Sequence, residues 1–189
     1  MIYTTTLNKI RKYRPCTDGW VKLLDHLNKT KADDELLPLS VILQSNGLDD
    51  ALWCLRASDA PKDIMRLFAR LCALDVIHLW DAPSLVRQYL ETGDESLRKK
   101  AVAASKAAAW AAAWDAAGAA SKAAAWASSA GASAVAAAWA AAWAASKTSK
   151  ASKTSKASKA SKAAAWAAAR ELQTNRFVEL FCTKATGGE

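Results

Sequence analysis

The stretch Ala107–Ala145 constrains this chain more than any other. Of its 39 residues, 25 are alanine and five are tryptophan: Trp110, Trp114, Trp126, Trp139 and Trp143. Alanine is the strongest helix former and carries no functional group, whereas tryptophan is the largest apolar side chain. A segment built from these two can pack or present a surface, but it holds nothing that attacks a bond or moves a proton. Helices are predicted here, and a scaffold or interaction role is favoured over catalysis.

Charge is distributed unevenly. The chain carries +8 overall, with a net of −1 through Asp94 and +9 from Glu95 onward. The larger apolar side chains concentrate before residue 92, where the better-filled core is expected. The four cysteines (Cys16, Cys54, Cys72 and Cys182) form no CxxC pair. No secretory leader is read at the start, so free thiols in the cytoplasm of a bacterial host are expected, each buried and inert.

An all-α fold is predicted: a small helical module over 1–92, then an Ala/Trp-rich hairpin or bundle over 93–145. A Lys/Ser low-complexity segment occupies 146–162, a C-terminal helix 163–184 and a flexible tail 185–189. Short helices are expected at Thr6–Tyr13, Gly19–Asn28, Asp50–Ala57, Lys62–Trp80 and Ser84–Glu91, and a further one with Pro38 in its first turn that runs through Leu39, Ile42 and Leu43. Asp18 and Asp49 are read as N-caps and Asn46-Gly47 as a left-handed stop. Trp20 and Trp53 are read as the main core anchors, with Leu24, Leu52 and Phe68 beside them. No stretch alternates at period two, so no sheet is expected.

After Pro83 no proline follows in 106 residues. A helix that long would need a coiled-coil seam, and none of Leu or Ile is present. The chain is therefore expected to fold back, at Ser128–Gly131 first and Gly118 second. The result would be helices near Leu97–Ala127, Ala132–Ala145 and Ala163–Cys182. Trp110/Trp114 and Trp139/Trp143 each share a helical face through their spacing of four, and are read as knobs set into alanine-lined surfaces. Whether these helices close within one chain or between two copies stays open.

In the basic segment Lys147, Lys150, Lys153, Lys156, Lys159 and Lys162 recur every third residue. Period three spirals around a 3.6-residue helix, so the tract has no side to bury. It reads as a solvated helix or connection that can hold phosphate electrostatically without reading bases. Elsewhere there is no phosphate loop, GxSxG, HExxH or calcium loop. His26 and His78 lack an evident partner, and Asp33-Asp34-Glu35 and Asp49-Asp50 read as a loop and a helix start. No catalytic residue, metal ligand or cofactor is assigned. Ala123–Ser146 is long enough to span a bilayer but too rich in Ala and Ser to favour it, so a membrane role is disfavoured.

The runs Cys16-Thr17-Asp18-Gly19-Trp20 and Asn46-Gly47-Leu48-Asp49-Asp50-Ala51-Leu52-Trp53-Cys54-Leu55-Arg56, followed by an Ala/Trp tail, resemble a diffuse family. Its members are tailed-phage and prophage proteins, some labelled as immunity proteins. The family has no agreed activity, so the resemblance implies no catalytic residues. It implies a mobile-element origin and an accessory role through contact with a host or phage protein. The competing expectation is a nonspecific nucleic-acid-binding accessory protein using Lys147–Lys162.

Overall fold

A computed structural model describes residues 2–79, 81–111, 124, 133–148 and 155–183. The fold is all-α. The helices are α1 (Leu7–Lys12), α2 (Thr17–His26), α3 (Leu39–Asn46), α4 (Leu48–Cys54), α5 (Lys62–Leu74), α6 (Ser84–Thr92), α7 (Glu95–Ala111), α8 (Ser133–Thr148) and α9 (Ser155–Phe177). Single 3₁₀ turns follow α4 and α5, and a π-helical turn, Val178–Cys182, closes α9. No helix among the described residues is long and apolar enough to cross a membrane.

Two compact units form: residues 1–64 together with 174–189, and residues 65–173. The chain passes from one to the other within α5 and within α9. Composition breaks at 92 and 145; compactness divides the chain elsewhere.

The first unit is organised around its N-terminal strand. Thr4–Thr5 pairs antiparallel with Leu37–Pro38, in the register Thr4 to Pro38 and Thr5 to Leu37. This two-stranded pair departs from the expectation that no sheet forms, because two-residue strands are too short to show alternation. The Thr4 amide and hydroxyl donate to the two carboxylate oxygens of Asp59, at 2.7 and 3.0 Å, and the buried Thr5 hydroxyl donates to the Ala57 carbonyl at 2.6 Å. The Tyr3 amide donates to the Phe181 carbonyl at 3.1 Å, drawing the chain's last described turn onto its first strand. Phe177 and Phe181 are fully buried, with ring centroids 4.9 Å apart. Around them the unit buries Leu7, Ile10, Leu23, Leu39, Ile42 and Leu52.

Capping differs from expectation at two helices. Cys16, not Asp18, holds the N-cap of α2, without a side-chain capping bond, and Asp18 sits in the first turn. One residue, Gly47, joins α3 to α4. Its φ of 92° and ψ of −178° lie outside the left-handed helical region and are open essentially to glycine alone. The chain can therefore restart a helix at Leu48, which places Asp49 and Asp50 inside the first turn rather than at the cap.

In the second unit α5 ends at Leu74, short of the expected Trp80, which lies outside the described residues. Phe68, Cys72, Val86, Tyr89 and Leu90 are buried. Arg70 on α5 caps α6: its Nε donates to the Leu90 carbonyl at 3.0 Å and its Nη2 to the Glu91 carbonyl at 3.2 Å. Carbonyls at a helix end lack intrahelical donors, and a cation also suits that end of the macrodipole. The expected breaks at Gly118 and Ser128–Gly131 lie outside the described residues. α8 begins at Ser133, and α9 begins at Ser155, inside the basic segment.

Candidate interaction surfaces

In the first unit, the two runs that carry the family resemblance meet. Cys16, Gly19 and Trp20 from the start of α2, with Asn46, Asp50, Trp53 and Cys54 from α3 and α4, line a groove of about 140 Å³ over Ile10, Leu23 and Ile42. Asn46 ties them together. Its Nδ2 donates to the Gly19 carbonyl and to Asp50 Oδ2, both at 2.8 Å, while its Oδ1 accepts from the Ser45 hydroxyl at 2.7 Å. A Cβ at Gly19 would stand 2.7 Å from Asp50 Oδ2, so a larger residue there would have to displace the carboxylate.

This geometry corrects the reading of Trp20 and Trp53 as core anchors. Both indoles are half-buried, as walls of the groove, and Leu24 is half-buried too, whereas Leu23 is the residue α2 turns inward. Ile10, Leu23 and Ile42 beneath the groove are buried, and the larger indoles stand at its edge. Leu52 and Phe68 are buried. The Arg56 guanidinium stacks 4.5 Å from the Trp53 ring centroid, and its Nε donates to the Trp53 carbonyl at 2.9 Å. Burial pushes the Cys54 thiol up to about 12, with the Asp50 charge adding and Arg56 opposing. Burial likewise raises Cys182, to about 11. Cys16 is exposed, against the expectation of a buried thiol.

The second unit presents a different surface. α8 buries Ala137, Ala140, Ala141, Ala142 and Ala144 while Trp139 and Trp143 remain 47% and 50% exposed. The expected arrangement, indole knobs sunk into alanine surfaces, is thereby reversed. Alanine lets neighbouring backbone come close, and an indole cannot enter so narrow a seam. Trp139 meets Trp166 of α9 edge-to-face, centroids 5.2 Å apart, and the Arg170 guanidinium lies 5.8 Å from the Trp139 ring centre. Arg170 Nη1 also donates to Oε1 of the buried Gln173 at 2.9 Å.

The lysine tract borders this surface in sequence. Lys147 lies four residues after Trp143 in α8, and Lys162 four before Trp166 in α9. Lys156 and Lys159 fall in the first turns of α9, while Lys150 and Lys153 lie outside the described residues. Trp114 and Trp126 also lie outside, and of Trp110 only the helical backbone is described. The chain matches no family model, no curated protein and no solved structure.

His26 and His78 are exposed. Lys29 bridges Asp33 and Glu35, each at 2.6 Å; the Asp33 hydrogen bond, the larger cause, and that of Glu35 hold the lysine pKa up. Among the described residues, no group of three or more His, Cys, Asp or Glu is placed to hold a metal ion. Across the two surfaces stand indoles, the guanidiniums of Arg56 and Arg170, and the Asp50 carboxylate. Sequence reasoning missed Arg170 and Asn46. Arg170 stands four residues after Trp166, the one available signal, while Asn46 was read only as part of a helix stop.

Proposed function

We propose that this chain is a non-enzymatic phage or prophage accessory protein that acts in the host cytoplasm. It works by binding a host or phage protein on the Trp139–Trp143–Trp166 surface of its second unit. One observation carries this reading: Trp139 and Trp143 stay half-exposed on a helix that buries Ala137, Ala140, Ala141, Ala142 and Ala144. Tryptophan and arginine are the residue types that most often dominate protein interfaces, and contiguous exposed aromatic area marks contact sites. The phage setting rests on the motif resemblance alone. The test is affinity purification of the wild type and W139A/W143A from host cells, with and without nuclease. A nuclease-resistant partner lost in the variant is expected; retention of every partner would sink the assignment.

A second reading has one observation in its favour, the placement of Lys147 and Lys162 a helical turn from Trp143 and Trp166. Bases can stack on exposed indoles while lysines hold phosphates. If all six lysines make phosphate contacts on duplex DNA, the log–log salt slope of affinity approaches about −5. Replacing the six with Gln would then abolish binding and biological effect together. The protein-contact reading expects weak, salt-sensitive binding in vitro that is dispensable for that effect.

A further inference from the structure

We propose that the groove between α2 and α4 in the first unit receives a compact alkylammonium group, held by the indoles of Trp20 and Trp53 and the carboxylate of Asp50. This site is separate from the Trp139 surface and does not depend on it. Three features favour a cation over a neutral apolar guest. Asp50 is half-buried in the lining, with Oδ2 fixed by Asn46 and no hydrogen bond to its other oxygen among the described residues. Trp53 already takes one cation, since Arg56, which is not part of the lining, stacks on its ring. Cys54 also lines the groove, and burial first and the Asp50 charge second raise the pKa of its thiol. Indole rings attract ammonium groups through their quadrupole, more strongly when the cation is desolvated, and a carboxylate alongside supplies the counter-charge. A volume of about 140 Å³ suits a single small head group rather than a folded element.

Gly19, without a Cβ, leaves Asp50 Oδ2 and Cys16 Sγ room beside α2. Asn46 Nδ2 donates to the Gly19 carbonyl and to Asp50 Oδ2 together, which pre-organises the carboxylate beside α2.

The full-length protein is titrated with choline, with the neutral isostere in which carbon replaces the nitrogen, and with N-acetyl-lysine methylamide. The Trp20 and Trp53 indole N–H resonances are followed, assigned through W20F and W53F. Choline is expected to shift both indoles and the isostere to bind about tenfold more weakly. Asp50→Asn, which keeps an acceptor for Asn46, should weaken choline about tenfold while leaving the isostere unchanged. Arg56→Gln should act in the opposite sense and tighten choline, because it removes a nearby positive charge. Opposite responses in two folded variants cannot come from general damage. The lysine derivative separates sources: binding points to a protein side chain, and choline binding alone to a free quaternary amine. Equal binding of choline and its isostere, an unchanged affinity in Asp50→Asn, or no shift of either indole would overturn the proposal.

Discussion

Tyr89 shows how much one buried atom decides. Its side chain is fully buried, and its hydroxyl has no hydrogen-bond partner among the described residues. An unmatched buried polar group costs stability, so Tyr89→Phe is expected to be neutral or stabilising by about 1 kcal/mol in urea denaturation. Burial first, and the charge of Glu95 second, raise its pKa. A raised folded-state value means that stability is complete below about pH 10, where an exposed tyrosine ionises, and is lost as pH rises through the folded value. That alkaline loss should shrink in Tyr89→Phe. Gly93 is the second such residue: it ends α6 with φ 71° and ψ 18°, and its missing Cβ leaves room for the Arg70 guanidinium. Gly93→Ala should cost about 1–2 kcal/mol in backbone strain and more through displaced Arg70. A double-mutant cycle with Arg70→Ala would register that coupling. The glycine stop was legible in Thr92-Gly93-Asp94; the arginine laid across it was not, because Arg70 comes from another helix.

At the scale of the element, α8 inverts the usual division of labour. Its small residues form the buried face, so Ala142→Leu is expected to destabilise by about 1–3 kcal/mol through overpacking. Trp139→Ala and Trp143→Ala should each cost about 1 kcal/mol or less, since half of each side chain already meets solvent. Chemical denaturation of the three variants checks this order, and the reverse ranking would restore the tryptophans to the core. For the half-buried Trp20, truncation to Ala should fall below the cost of about 3–5 kcal/mol for a fully buried aromatic. The start of α7 is an electrostatic element. Asp94 accepts the Ser96 amide at 2.8 Å, and hydrogen bonding to Ser96 holds its carboxyl below the ordinary value. Asp33 is lowered in the same direction, chiefly by the Lys29 hydrogen bond. A lowered folded-state pKa gives stability that is present above the unfolded value and lost as pH falls through the folded one. Acid unfolding should therefore lose part of its dependence below pH 4 in Asp94→Asn, which can still accept the amide hydrogen.

At the scale of the whole molecule, the first unit needs residues from both ends of the chain. Phe181→Ala is expected to cost about 3–5 kcal/mol and to expose Tyr3, whose ring lies 6.1 Å from that of Phe181. Hydrogen exchange at the Tyr3 amide, bonded to the Phe181 carbonyl, would report the opening. Nothing near Phe181 in sequence signals this partner. What the sequence alone determined is helix identity and punctuation: alanine content, apolar spacing of three and four, and the breaks at Pro15, Gly47, Pro61, Pro83 and Gly93. These depend on interactions within a few residues, which any local window contains. Only the tertiary structure decided the strand pair of Thr4–Thr5 with Leu37–Pro38, the grouping of residues 174–183 with the first unit, the half-exposure of Trp139 and Trp143, and the part-buried place of Trp20 and Trp53 at a groove edge. Each of these depends on which distant residues arrive beside a given side chain. A tryptophan next to alanine-lined backbone is core or surface according to how closely that backbone approaches, and helix propensity carries no record of that distance.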